Sequence, residues 1–243
     1  MATENAQAMC PPFPLLILLR HGEVSSHHGD VPLTSHGRDQ AEQAGLRLGE
    51  LQAARASVLF APTLRARQSG VALSDGLKRA NSGGAIAGPA VTAALRNPDL
   101  YLAGHRVDMV STAAHFAEQV PGVTEAQVTS VAFYAEFIAA ADRIGHWLHH
   151  ADPPGDSAAN VACRIRHFAN SLSYVGADLV VGITHSPVLR ALSLHQARTD
   201  PGEPNYLHGY AVWIEGDGGV ALDAVDWKAA DPVPRQGGRL WSR

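Results

Sequence analysis

The chain has little of what marks specialised protein classes. Two cysteines in 243 residues, Cys10 and Cys163, are too few for a disulfide framework and fall in no metal-type spacing, so a reducing compartment fits. Charged residues make up only 17% and the formal net charge is −4, which gives no electrostatic case for nucleic acid or an anionic membrane as main partner. Long apolar runs are missing too. The run after MATENAQAMCPPFP spans about five residues, against the roughly 20 that a bilayer crossing needs. The stretch before it carries Glu4 and no basic cluster, and does not read as a signal peptide. These absences predict a cytoplasmic protein without nucleic-acid or membrane contacts; oligomeric state is not legible. Any anion binding must be local.

What is present is material for a core. Apolar residues make up 46% of the chain, enough for one α/β domain over residues 1–243. Residues 15–19, LLILL, are a strand with no polar face, as expected of a central strand covered on both sides. Residues 36–51 place Ala41, Ala44, Leu48 and Leu51 on one helical face. Ser57–Phe60 reads as a strand, followed at once by the helical TLRARQSGVALSDGLK. Residues 81–90 are Gly/Ala-rich and read as a flexible loop, with Val91–Leu95 a third strand. The pattern breaks over 97–123, and Glu125 to about His150 reads as one long amphipathic helix. Asp156 or Ser157 is a good N-cap for the helix reaching Leu172. Leu179–Thr184 is a second buried strand, and Ser186 and Pro187 read as N-cap and first position of the helix after it. Tyr210–Glu215 and Val220–Val225 form a hairpin around GDGG. The tail, 231–243, is expected to be poorly ordered.

Two buried strands end alike. LLILL runs into Arg20-His21, and VVGIT runs into His185-Ser186-Pro187. If both strands are central and parallel, their carboxyl ends lie side by side, where α/β proteins place ligands. The strand at Ser57–Phe60 leads to Arg65 and Arg67. Guanidinium forks match phosphate oxygens, and helix N-termini add N–H donors. Convergence of these groups would make a pocket for a tetrahedral dianion. Singly, each has a plainer reading: a strand-end histidine is commonly structural, and helix arginines are commonly solvated.

Taken in order, L-L-R-H-G-E (18–23), P-L-T-x-x-G-x-x-Q-A (32–41), L-R-A-R-Q-S (64–69) and T-H-S-P-V-L-R-A-L (184–192) resemble the histidine phosphatase superfamily, also called phosphoglycerate mutase-like. The resemblance implies a three-layer α/β/α sandwich with a mostly parallel central sheet and a helical cap, for which about 97–150 is the natural insertion. It implies that His21 is the nucleophile forming a phosphohistidine, that Arg20 and Arg65 hold the phosphoryl oxygens, and that His185 hydrogen-bonds the transferring group. Arg67 stands outside the match. The chemistry is consistent on its own terms. A neutral imidazole is a usable nucleophile near pH 7, and neighbouring guanidiniums disfavour its protonated form. They also stabilise charge on the equatorial oxygens, so no metal or other cofactor is required.

The departures narrow the activity. Where mutases of the family carry Trp-Asn after R-H-G-E, this chain has V-S-S-H-H-G-D, with His27 at the asparagine's place as a possible phosphate ligand. The family's proton donor is a Glu in a Leu-x-Glu context after the third strand; here A-L-R-N-P-D-L-Y makes Asp99 the nearest carboxylate, with Asp108, Glu125 and Glu136 as rivals and a plain turn role as the alternative. Ser186 follows the second histidine, which excludes the branches with an Asp there, and no G-x-S-x-G elbow surrounds it. His146, His149 and His150 include an i, i+4 pair that could bind a metal, although the intervening Trp147-Leu148 read as core packing. The expected activity is metal-independent hydrolysis of a small phosphomonoester. The alternatives are a mutase and a catalytically weak phospho-ligand binding or regulatory protein. The natural substrate is not legible.

Overall fold

The computed structural model describes residues 14–26, 29–215 and 218–227. β1 (Leu15–Arg20) is buried along its whole length. It pairs in parallel with β6 (Leu179–Thr184) and antiparallel with β7 (Gly209–Ile214). On the far side of β6, β2 (Arg55–Phe60) continues the sheet in parallel and pairs with β3 (Ala85–Val91). β8 (Val220–Ala224) closes the other edge against β7. Among the described residues these six strands run in the order β3-β2-β6-β1-β7-β8, parallel except for the final hairpin. Strands β1 and β6 at the centre carry no polar side chain before their last residues, because both of their faces are covered.

The flanking helices come as two pairs. α1 (Ser35–Gly49) packs on α2 (Leu64–Ala80), and α7 (Ala158–Ser171) packs on α8 (Ser186–Gln196). The first pair touches through glycine: a Cβ on Gly45 would lie 2.0 Å from the Leu73 carbonyl oxygen. Ala41, Ala44 and Leu48 are buried on the face of α1 that the spacing predicts. The result is the expected α/β sandwich.

Between β3 and α7 lies the stretch that the resemblance reads as a cap, called the cap segment below. It holds a small hairpin of β4 (Leu100–Leu102) and β5 (His105–Val107), then α3 (Ala113–Ala117), α4 (Glu125–Ser130), α5 (Ala132–Ala139) and α6 (Arg143–His149). Phe116, Tyr134, Phe137 and Trp147 are fully buried within it, with Phe116 and Tyr134 edge-to-face at 4.8 Å. The Tyr134 hydroxyl donates to the Tyr101 carbonyl.

Three expectations are corrected. The single helix over 125–150 is three short ones, because Val131 and Ala140 are extended and Asp142 caps α6 by accepting from the Gly145 N–H. The third strand lies at 85–91, inside the supposed loop, and Ala93–Leu95 is a 3₁₀ turn. As an edge strand β3 needs only one row of backbone bonds and tolerates Gly and Pro, so its composition hides it. Finally, the N-cap of α8 is His185, which places Ser186 and Pro187 one position further into the helix than read. The tail lies outside the described residues.

Candidate active site

Sheet register decides which side chains meet. Arg20 stands opposite Thr184 across β1 and β6, so the next residues, His21 and His185, leave the sheet together. Their rings are 5.4 Å apart and edge-to-face. His21 Nδ1 lies 2.8 Å from the Gly22 carbonyl. A carbonyl can only accept, so Nδ1 carries the proton and the neutral ring keeps its lone pair on Nε2. His185 is 2% exposed. Burial first, then the charges of Arg65, His21 and Arg20, hold its pKa well below 6.5, and it stays neutral. Its Nε2 is 3.5 Å from the Thr63 hydroxyl, while its buried Nδ1 has no hydrogen-bond partner.

Two guanidiniums flank the rings. Arg20 is buried, donates from Nη1 to the Pro204 carbonyl, and pairs through Nη2 with Glu203 at 2.9 Å. The Tyr206 ring lies under its guanidinium at 4.3 Å. Arg65 sits in the first turn of α2, behind the Thr63 N-cap, and reaches the Gly29 carbonyl and Asp30. Burial lowers the pKa of both arginines; Glu203 and Tyr206 oppose this at Arg20, and Asp30 and Asp108 at Arg65. Both remain cationic.

The remaining motif residues brace this frame. Gly22 has no room for a side chain, since a Cβ there would lie 2.4 Å from the Gly37 carbonyl oxygen. Gly37 in turn lies against the Glu23 backbone, where a Cβ would meet the carbonyl oxygen at 2.2 Å. Thr34 caps α1 and donates to the Glu23 carboxylate. Gln40 accepts from the Glu23 N–H, Gln68 from Leu33, and Ser69 from Gly22. The turn after His21 is thus held from α1 and α2 at once.

These groups open into a cavity of about 710 Å³ whose lining includes Arg20, His21, Arg65 and His185 together with the apolar Met109, Val110, Phe137 and Ile144. Such an arrangement can hold a tetrahedral anion against an imidazole lone pair, with an apolar wall for the rest of a ligand.

The other predicted residues fall elsewhere. His27 lies outside the described residues. Asp99 is not among the lining residues; Arg96 grips one of its oxygens through Nε and Nη2, and Arg106 grips the other. Burial alone would raise its pKa, but the two arginines outweigh that and hold it below the ordinary value. Asp99 therefore stands outside the cavity lining, held as a carboxylate between two guanidiniums. Asp108 pairs with Arg106, Glu125 starts α4 at the surface, and Glu136 projects from α5 with 60% of its side chain exposed; none of the three lines the cavity. Glu136, His146 and His150 do approach one another within 4.8 Å, whereas His149 is exposed. His150 Nδ1, however, accepts from the Asp152 N–H. That places the proton of the neutral ring on Nε2 and leaves no lone pair for a metal.

Sequence reasoning missed several lining residues: Asn97, Asp142, Arg190 and Glu203. Arg190 was the findable one. A cation inside the apolar S-P-V-L-R-A-L helix needs partners, and it has them in Asp142 and Asp200. Burial pulls its pKa down, but those carboxylates raise it overall.

Paired imidazoles and buried arginines stand at the carboxyl ends of the mostly parallel sheet of an α/β sandwich. The resemblance read from the sequence holds: residues 16–82 match the model described as histidine phosphatase superfamily (branch 1). No curated protein matches the chain by sequence. Among solved structures, a mycobacterial glucosyl-3-phosphoglycerate phosphatase in complex with VO3 has 21% identity and a TM-score of 0.55, with 88% of this chain and 98% of that chain covered. A structure called mycobacterial hydrolase 1 has 20% identity and a TM-score of 0.56, covering 89% and 98%. An Entamoeba histolytica phosphoserine phosphatase mutant in complex with phosphoserine has 14% identity and a TM-score of 0.51, covering 86% and 94%. At these identities the likeness establishes the fold. Among the described residues, no helix is long and apolar enough to cross a membrane.

Proposed function

We propose that the protein hydrolyses small phosphomonoesters through a phosphohistidine on His21. The observation that carries this is the meeting of His21 and His185, 5.4 Å apart, with Arg20 and Arg65 in one cavity. His21 Nε2 attacks phosphorus from a ring fixed by its Nδ1–H bond to Gly22. Arg20 and Arg65 take the phosphoryl oxygens in place of Glu203 and Asp30, adding positive charge where negative charge gathers. His185, kept neutral by burial and the surrounding cations, donates its one N–H to the transferring group. His27 is assigned a supplementary phosphate contact. The relatives of like fold that act on phosphate esters support this reading, and the absence of the Trp-Asn pair favours release to water over return to a second hydroxyl.

The test is a panel of phosphorylated metabolites with wild-type and His21→Ala protein. Wild type should turn over at least one substrate and carry an acid-labile phosphoryl label; His21→Ala, with an unchanged melt, should do neither. An acid-stable label on another residue, or full activity in the variant, would remove the phosphohistidine.

A further inference from the structure

Expelling an alkoxide from phosphorus is difficult without a proton, and a positioned acid contributes about 10²–10⁴-fold. The wall where the sequence points for that acid cannot supply it. Asn97 lines the cavity there with a carboxamide, and Asp99 is locked between two arginines outside it. Among the described residues, two carboxylates line the cavity: Asp142 and Glu203. Asp142 has both oxygens on Arg190 and one also on the Gly145 N–H. The Arg190 bonds, against some burial, hold its pKa down to about 2. It is a clamp.

Glu203 is placed differently. One oxygen pairs with Arg20 Nη2 at 2.9 Å, and the other accepts the Ser186 hydroxyl. Arg20 immediately precedes His21, and Ser186 immediately follows His185, so this carboxylate spans the neighbours of both imidazoles. Half of its side chain is exposed, which leaves it room to turn. We infer that Glu203, which pairs with Arg20 until a phosphoryl group competes for that guanidinium, is the proton donor to the leaving group; this rests on the phosphatase reading.

The exchange follows from competition for one guanidinium. Arg20 Nη1 is anchored on the Pro204 carbonyl, so the guanidinium stays while its Nη2 changes partner. An arriving phosphoryl dianion takes Nη2, and the freed carboxylate, now beside new negative charge, picks up one proton from solvent before the chemical step. In the first step the bond from His21 Nε2 to phosphorus forms, the ester P–O bond breaks, and its electron pair on the leaving oxygen takes the Glu203 proton. In the second step water attacks phosphorus, the P–N bond breaks with its electron pair returning to Nε2, and the water proton goes to the Glu203 carboxylate. The groups facing Glu203 are Arg20 from β1, Ser186 and Arg190 from α8, with Arg190 Nη1 at 3.9 Å. Asp142 and Asp200 bear on it through Arg190, and Tyr206 through Arg20.

The experiment is pre-steady-state kinetics of Glu203→Gln, with Asp142→Asn alongside, on an alkyl phosphate and on p-nitrophenyl phosphate. Gln keeps an acceptor for Ser186, and a thermal melt checks the fold. For Glu203→Gln, His21 phosphorylation by the alkyl phosphate should slow about 10²–10⁴-fold. The nitrophenolate burst, whose leaving group hardly needs a proton, should stay within about tenfold. Phosphoenzyme should then accumulate because the water-activating base is gone, and KM should not rise, since no anion competes for Arg20. Equal losses on both substrates, no loss on either, or a leaving-group-selective loss in Asp142→Asn instead would overturn the assignment. Wild type that neither turns over substrate nor labels His21 would take down the phosphatase reading itself, and this inference with it.

Discussion

Arg190 ties the cap segment to the body of the fold, and its removal is a measurable perturbation. Its side chain is 2% exposed, and it bonds Asp142 at the start of α6 and Asp200 in the loop after α8. Removing one partner of a buried ion pair costs about 3–5 kcal/mol. Asp142 is 59% exposed and Asp200 15% exposed, so the orphaned carboxylates recover some solvation, and Arg190→Ala should fall at the low end, about 3 kcal/mol. For a chain of this size that is a fall of about 6–12 °C in Tm. The linkage has a definite sign. Both carboxylates have lowered pKa values in the fold, so their contribution is present above the ordinary value of 3.8 and fades as pH falls towards about 2. The Asp142 shift, from 3.8 to about 2, corresponds to about 2.4 kcal/mol, and screening of so exposed a carboxylate cuts this to about 1 kcal/mol. Urea melts of wild type and Arg190→Ala at pH 7 and pH 2.5 should therefore show a gap of about 3 kcal/mol that narrows by about 0.5–1 kcal/mol in acid. A gap under about 1 kcal/mol at pH 7, or one that widens in acid, would refute the clamp.

Two further outcomes separate roles that the sequence leaves entangled. Asp99→Asn should slow alkyl and nitrophenyl phosphates alike and lower stability by about 1 kcal/mol, as partly exposed ion pairs do; a loss confined to the alkyl phosphate would restore Asp99 as the acid. Dialysis against EDTA should leave the rate unchanged, because Arg20 and Arg65 supply the positive charge; a loss restored by one divalent ion would instead promote Glu136, His146 and His150.

What the sequence made legible was whatever is written locally. β1 and β6 are continuous apolar runs, so their burial could be read directly. The turn after His21 was visible only as motif letters shared with a family; the structure shows Gly22 and Gly37 held by close approach and Thr34, Gln40 and Ser69 by hydrogen bonds. β3 was hidden because an edge strand is specified by the backbone of its neighbour. The cap segment misled in the opposite way: helical periodicity persists through Val131 and Ala140, but the extended backbone there and the capping at Asp142 break it.

The proton donor shows the limit most sharply. A search along the chain looks for a carboxylate near the third strand, because that is where the family pattern places one. This chain puts Asn97 on that wall and brings Glu203 in from the loop before β7, 183 positions from the Arg20 it contacts, as the numbering shows. Nothing in G-E-P-N-Y marks the residue: a lone Glu between Gly and Pro reads as an ordinary loop charge. It becomes conspicuous only once the antiparallel pairing of β7 with β1 returns the loop to the strand end, where the Leu207 N–H bonds the Arg20 carbonyl and the Arg20 N–H bonds the His208 carbonyl. Those two backbone bonds fix the loop's end beside the arginine. A carboxylate there can serve an alkoxide only if the incoming phosphoryl group displaces it, so the anion that binds must also be the signal that frees the acid.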